Sequence, residues 1–238
     1  MTEPDLRDRL RPVLSLLAAD PGSVSSVRDP DRAWRVHVED SLSGLGLVGA
    51  PARLADLGAG AGFPGLALAA ALPGTRVDLI ESVGRKCEFI ERAIAAAGFG
   101  NARALCTRAE TWAQEPPPAG GREAYDVVTA RAVGRLATLA ELAVPLLRPN
   151  GTLVAWKGRR DPDEEAELER AAGSLAITAE RVVRVPPSPG AANRHLHLLR
   201  KVGPTPPGIP RRAGMAKKRP FGSTRRRPNQ PARRRSRG

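Results

Sequence analysis

The order of apolar runs predicts an α/β fold: a mostly parallel sheet with helices on both faces, closed by an antiparallel hairpin. Two observations carry this. From Arg53 onward, short apolar strands alternate with amphipathic helices, and repeated βα units of this length require a parallel sheet covered on both faces. The last two strand-like runs, 177–185 and 194–202, have no helix between them, so they pair directly and antiparallel. No internal repeat is visible.

The elements follow in order. Residues 5–19 and 30–47 read as helices separated by Pro, Gly and Ser. The second has an N-cap candidate in Asp29, ahead of Trp34, Val38, Leu42 and Leu45 at helical spacing. Residues 53–58 form a short apolar strand, and 63–72 a helix opened by Pro64, a residue suited to a first turn. Residues 76–82 alternate as a strand, and 85–97 form a helix stopped by Gly98. Strands are expected over 102–108, 125–130 and 151–158, the last after a Pro-Asn-Gly turn, and helices over 136–147 and 162–172. The units are an N-terminal helical region over 1–52, the α/β domain over 53–202, and a tail over 203–238.

Composition narrows the setting. The 238 residues are 41% hydrophobic but only 3% aromatic, so Leu, Val and Ala must fill the core. No apolar run reaches the length of a membrane span, and the N-terminus carries acids rather than a basic-then-apolar signal. Cys87 and Cys106 make neither a metal nor a C-x-x-C spacing. A cytoplasmic, metal-free protein is expected, and a monomer. The net charge of +13 lies in the tail: residues 200–238 hold 14 Lys or Arg and no acid, whereas the rest holds 24 basic and 25 acidic residues. The tail is rich in Pro, Gly and Arg, and disorder from residue 203 is the expectation. A basic arm of this kind attracts nucleic acid.

The loop "DLGAGAGFPG", 56–65, follows the first strand and delivers backbone to a helix N-terminus. Glycines there let a ligand approach closely. Glu81 ends the second strand, 21 residues after Gly60, where a carboxylate bonds ribose hydroxyls. These features suit either a dinucleotide or S-adenosylmethionine (SAM). Asp56 tilts the choice, because an anion before the loop repels a pyrophosphate and favours the sulfonium and ammonium of SAM. The only tyrosine, Tyr125, has no lysine four residues on, so a familiar redox pairing is missing. A parallel sheet ending in an antiparallel hairpin also resembles the Rossmann-like SAM-dependent methyltransferase layout. An NAD(P)-dependent oxidoreductase using the same loop is the alternative.

Methyl acceptors differ in what they demand. Attack through a pyrimidine carbon needs a thiolate, but Cys87 falls in a helix and Cys106 in a strand, both read as small core residues. Exocyclic amines usually go with an Asp/Asn-Pro-Pro-aromatic loop after the fourth strand, and "TARAVG", 129–134, stands there instead. A ring nitrogen such as guanine N7 has a free lone pair, so alignment and water exclusion suffice. His37 reads as a satisfied helix histidine, and His195 and His197 as structural. Lys157 and Arg194 are strand-end charges or phosphate contacts.

Seven stretches, in order, resemble one family. They are "SVRDPDRAWRVHVEDSL" with His37, Asp40 and Ser41, "DLGAGAGFPG", "ESVGRKCEFI", "TRAE", "YDVVTARAVGRL", "GTLVAWKG" and "NRHLHLLRK". "PTPPGIPRRAGMAKKRP" resembles the same family's C-terminal extension. The family is the bacterial ribosomal RNA small subunit methyltransferase G family. The resemblance implies SAM as cofactor and N7 methylation of a guanine in 16S rRNA near the decoding site, on the small ribosomal subunit or an assembly intermediate. It places Gly58 and Phe63 at cofactor contacts of the first loop, and Ala109 and Glu110 at the adenine portion. Glu81 matches the ribose position. Arg131 falls beside cofactor and target base, as the catalytic residue. The Arg-rich end beyond residue 221 goes further than the family pattern.

Overall fold

The computed structural model describes residues 2–21, 24–186 and 193–223. Among the described residues, seven strands form one sheet: β1 (Arg53–Leu57), β2 (Arg76–Glu81), β3 (Ala102–Cys106), β4 (Tyr125–Arg131), β5 (Leu147–Lys157), β6 (Ile177–Arg184) and β7 (His195–Lys201). Their order is β3-β2-β1-β4-β5-β7-β6. The pairs among β1 to β5 are parallel, and β7 runs antiparallel to both β5 and β6. The strand order reverses between β1 and β4, and in open α/β sheets the ligand crevice lies there, beyond the carboxyl ends of the strands.

Alternation along the strands sends side chains to two cores. Leu54, Val77, Leu79, Val154 and Trp156 join the core under the N-terminal helices. Ala55, Ile80, Leu153 and Ala155 join the core on the opposite face. Into the first pack α1 (Glu3–Ala19), α5 (Gly65–Ala71) and α6 (Gly84–Ala97). Into the second pack α7 (Ala109–Trp112), α8 (Leu136–Ala143) and α9 (Pro162–Leu175). The helices of the N-terminal region therefore share a core with the sheet. α1 begins at a capping box in which Thr2 N donates to Asp5 Oδ2 at 2.9 Å, and its Leu10, Val13, Leu14 and Leu17 are buried.

The helix expected over 30–47 is interrupted. It runs as α2 (Pro30–Ala33), a π-helical turn over Trp34–Glu39, α3 (Asp40–Leu42) and α4 (Leu45–Val48). Asp29 caps its start, accepting from Arg32 N at 2.7 Å. A π turn adds a residue per turn and re-aims the side chains around it, and here it turns His37 and Asp40 toward the ends of β4 and β7. Gly44 follows because a Cβ there would sit 2.2 Å from the Trp156 ring.

Disorder from residue 203 is corrected. Residues 203–223 lie on the domain and include a further short helix, α10 (Met215–Lys218). The cause is a set of anchors that composition hides. Lys201 Nζ, fully buried, bonds Glu123 Oε1 at 2.6 Å and Thr205 Oγ1 at 2.7 Å. Arg211 pairs with buried Glu141, and Ile209 and Ala216 are buried. Residues 224–238, which hold the Arg-rich end, lie outside the described residues.

Candidate cofactor pocket and acceptor cleft

The loop between β1 and α5 is shaped by backbone. Gly58, Gly60 and Gly62 have φ of +67°, +61° and +88°, a region L side chains rarely adopt. Gly58 N and Ala59 N donate to Ile80 O at 2.9 and 3.1 Å, so the loop is tied to β2. A Cβ on Gly58 would lie 2.8 Å from Val133 Cγ2. Glu81 braces the loop from β2: its carboxylate accepts from Gly60 N at 3.0 Å, Ser82 N at 2.7 Å and Val83 N at 2.9 Å. A carboxylate offers about four acceptor positions, so one remains for a ribose hydroxyl.

Beside this loop lies a cavity of 190 Å³. Gly58, Glu81, Ala109 and Glu110, all expected at the cofactor, line it. Leu57, Ile80 and Val133 supply apolar surface. Apolar walls with two carboxylates fit the nucleoside end of SAM: the glycine backbone and the side chain of Glu81 would hold it. The same cavity is also lined by Gly214, Ala216 and Lys217, from the segment expected to be disordered.

Asp56 does not act as expected. Its side chain is fully buried, accepting from Gly65 N at 2.8 Å and from Thr129 Oγ1 at 2.9 Å. It joins the loop to β4 and does not line the cavity, so it makes no direct contact there. Burial raises its carboxyl pKa to about 6 against the lowering effect of these hydrogen bonds. Gly65 is required beside it, since a Cβ would meet Asp56 Oδ2 at 2.8 Å.

Phe63 and Arg131 lie apart from the nucleoside cavity. Arg131 belongs to a second cleft, of 410 Å³, lined also by His37, Asp40, Trp156, Lys157 and Arg194, and Phe63, buried in the core, lines neither. At the centre of the second cleft is Asp40, 3% exposed. Arg131 Nη1 donates to Asp40 Oδ2 at 2.8 Å. Arg194 donates from Nε to Oδ1 at 2.6 Å and from Nη2 to Oδ2 at 3.0 Å. Trp156 Nε1 donates to the Asp40 carbonyl at 2.8 Å, fixing the turn that carries it. One carboxylate thus aligns two guanidiniums from β4 and the start of β7.

Phe63 packs against two residues of the second cleft. Its ring stacks on His37 at 5.2 Å and lies 6.0 Å from the Arg131 guanidinium. His37 Nε2 is 3.0 Å from Ser25 Oγ, and Nδ1 faces Arg131 Nη2 at 3.5 Å. Burial, then the Arg131 charge, lowers the His37 pKa to about 4, so the ring is neutral at physiological pH. The reading of a satisfied helix histidine fits these contacts.

Lys157 and Cys87 are both engaged. Lys157 Nζ pairs with Glu164 at 2.6 Å and bonds Gly134 O at 2.8 Å. Cys87 Sγ donates to Glu81 O at 3.3 Å, and burial pushes its thiol up to about 12. Cys106 is exposed at the end of β3, contrary to the core placement expected for it. Among the described residues no cluster of His, Cys, Asp and Glu could hold a metal ion, and no helix is long and apolar enough to cross a membrane.

Known proteins match this arrangement. The family model described as rRNA small subunit methyltransferase G matches residues 22–196. A relative from Synechococcus sp. (strain JA-2-3B'a(2-13)), named Ribosomal RNA small subunit methyltransferase G, is 37% identical over 216 residues, covering 86% of this chain and 80% of that protein. One of the same name from Roseiflexus sp. (strain RS-1) is 41% identical over 202 residues, covering 84% of each. Among solved structures, a SAM-dependent methyltransferase from Aquifex aeolicus superposes with a TM-score of 0.57 at 18% identity, covering 77% of this chain and 99% of that one. It shows the shared fold. None of these is an oxidoreductase, and the oxidoreductase alternative is set aside. With its Rossmann-like fold and SAM as cofactor, the chain belongs to the ribosomal RNA small subunit methyltransferase G family.

Proposed function

We propose that this protein methylates N7 of a guanine in 16S rRNA near the decoding site, acting as a monomer on the small ribosomal subunit or an assembly intermediate of it. The relatives' name supports a small-subunit rRNA substrate. The observation that carries the acceptor chemistry is the Asp40 clamp. Two guanidiniums are fixed on one carboxylate, that of Arg131 6.0 Å from Phe63 of the cofactor loop, while the nearest titratable ring, His37, has both nitrogens engaged. Groups that stay protonated hold anions and carbonyls but remove no proton. A guanine N7 presents a lone pair and asks for none to be removed. SAM, when bound, supplies an electrophilic methyl on its sulfonium.

The roles of the residues follow from position. Gly58 and Glu81 hold the nucleoside end, and Ala109 gives it an apolar wall. Phe63, on the cofactor loop, backs His37 and Arg131 from the core side. Arg131 is the catalytic residue in this reading: it aligns the acceptor base through O6 or an adjoining phosphate. Arg194, held by the same carboxylate, positions Arg131 and adds charge for the RNA backbone. The test is methyl transfer from labelled SAM to small subunits from cells lacking the activity. Digestion should yield 7-methylguanosine, cleavable at the labelled site after borohydride and aniline. Label in 5-methylcytidine or an N6-methylated adenosine would refute the reading.

A further inference from the structure

The segment after β7 does more than cover the sheet. Arg211 sends Nε to Glu141 Oε1 at 2.6 Å and Nη2 to Glu141 Oε2 at 2.5 Å. The same Nη2 donates to Arg219 O at 2.8 Å, and the guanidinium lies 4.2 Å from the centre of the Phe221 ring. Glu141 is 2% exposed, so this is a buried pair that fixes the segment on α8. Further anchors stand on either side: Arg122 Nη1 donates to Ile209 O at 3.1 Å, and Arg170 Nε to Gly222 O at 2.7 Å. Between the anchors the chain crosses the nucleoside cavity. Gly214, in the left-handed region at φ +80°, donates its N–H to Glu110 Oε1 at 2.8 Å. Thr138 Oγ1 donates to Ala216 O at 3.2 Å. Gly214, Ala216 and Lys217 then form one side of the cavity.

We infer that residues 211–219 are the outer wall of the cofactor site, with Ala216 and Lys217 as contact residues for the nucleoside end of SAM. This rests on reading the cavity as the SAM site. Glu110 is then a positioning residue: its Oε1 holds Gly214, and through it Ala216, rather than meeting the adenine. The wall is apolar where Ala216 faces in, which suits the flat face of a base, and carries a donor at Lys217.

The test measures affinity for S-adenosylhomocysteine by calorimetry. Full-length protein that binds none removes the cofactor reading itself, before the wall is tested. Given binding, removal of 224–238 should leave affinity within twofold. Removal of 209–238 should weaken it at least tenfold, with Glu141→Gln included so that no buried carboxylate is left unpaired. A cooperative thermal transition establishes that this truncated chain is folded. In the full-length chain, Ala216→Leu should weaken binding at least tenfold by filling the cavity. Glu110→Gln, which keeps an acceptor for Gly214, should bind better than Glu110→Ala. The inference is overturned if the folded 209–238 truncation or Ala216→Leu binds within twofold of the full chain. It is equally overturned if loss of 224–238 alone accounts for the whole effect.

Discussion

The two compartments are built by opposite means. The nucleoside cavity is made by backbone: left-handed glycines, amides tied to Glu81, and a loop hung on Ile80 O. The acceptor cleft is made by side-chain charge: Asp40 between Arg131 and Arg194, with His37 and Phe63 stacked beside them. Backbone geometry tolerates little and depends on a few contiguous residues. A charge constellation gathers groups from distant parts of the chain and fails as a unit when its central partner is lost. The difference teaches that damage to the two compartments should separate experimentally, one appearing in cofactor affinity and the other in methyl transfer.

The largest effect is expected from the centre of the clamp. Asp40→Ala leaves two guanidiniums facing each other without their carboxylate, and breaking a buried pair costs about 3–5 kcal/mol. Denaturant unfolding should show a loss of that order, and methyl transfer should fall below detection. Arg194→Ala should be milder on both counts, because the Arg131–Asp40 pair survives it.

On the backbone side, Gly58→Val should weaken SAM binding at least tenfold, about 1.4 kcal/mol. The new side chain meets Val133 and the residue must adopt a left-handed φ. Adding Val133→Ala should recover only part of the loss, since the backbone strain persists. Glu81→Ala should also weaken binding by about 1–3 kcal/mol, because it removes the carboxylate proposed to hold the ribose and frees three backbone amides together.

Acid stability sharpens the comparison, because the two compartments respond with opposite sign. Asp56 has its folded pKa raised from 3.8 to about 6 by burial. The folded state then binds more protons than the unfolded state between these values, so this group lowers stability as pH rises from about 4 to 6. The full effect is of order 3 kcal/mol. His37 has its folded pKa lowered from 6.5 to about 4. The unfolded state binds more protons there, so His37 contributes stability that is present above pH 6.5 and lost as pH falls toward 4. Asp56→Asn should therefore steepen the gain in stability from pH 4 to 6.5, and His37→Gln should flatten or reverse it. Urea unfolding across that range reads both.

The smallest effect concerns the Arg-rich end. Removal of 224–238 takes away seven arginines. RNA affinity should fall, with a shallower dependence on salt, since fewer counterions are released. An unchanged salt slope would make this end a solubilising appendage.

Legibility follows the same division. The sheet, its hairpin and the glycine loop were readable because apolar period and turn residues act locally. Glu81 ends the second strand, as the strand pattern placed it. The clamp was not readable: Arg131 and Arg194 each meet Asp40 across more than ninety residues, and no local pattern records such a meeting. The helix at 30–47 had the right apolar spacing, but nothing local announces its π turn or the packing of Trp156 against Gly44 and Asp40 that follows it. Residues 203–223 misled because Pro, Gly and Arg dominate their composition, while their order comes from single anchors such as Arg211 on a glutamate buried elsewhere. The role of Asp56 was misjudged for a similar reason: sequence placed it next to the loop but did not say which way it points.

The most direct measurement is made on Arg131→Ala, with S-adenosylhomocysteine affinity by calorimetry and single-turnover methyl transfer to small subunits read from the same preparation. Affinity within about threefold of the parent, with transfer reduced at least a hundredfold and not restored by Arg131→Lys, is the predicted result; about 2.7 kcal/mol then separates the compartments. A variant that loses cofactor affinity and transfer in equal measure, or that keeps transferring methyl groups, would contradict the division.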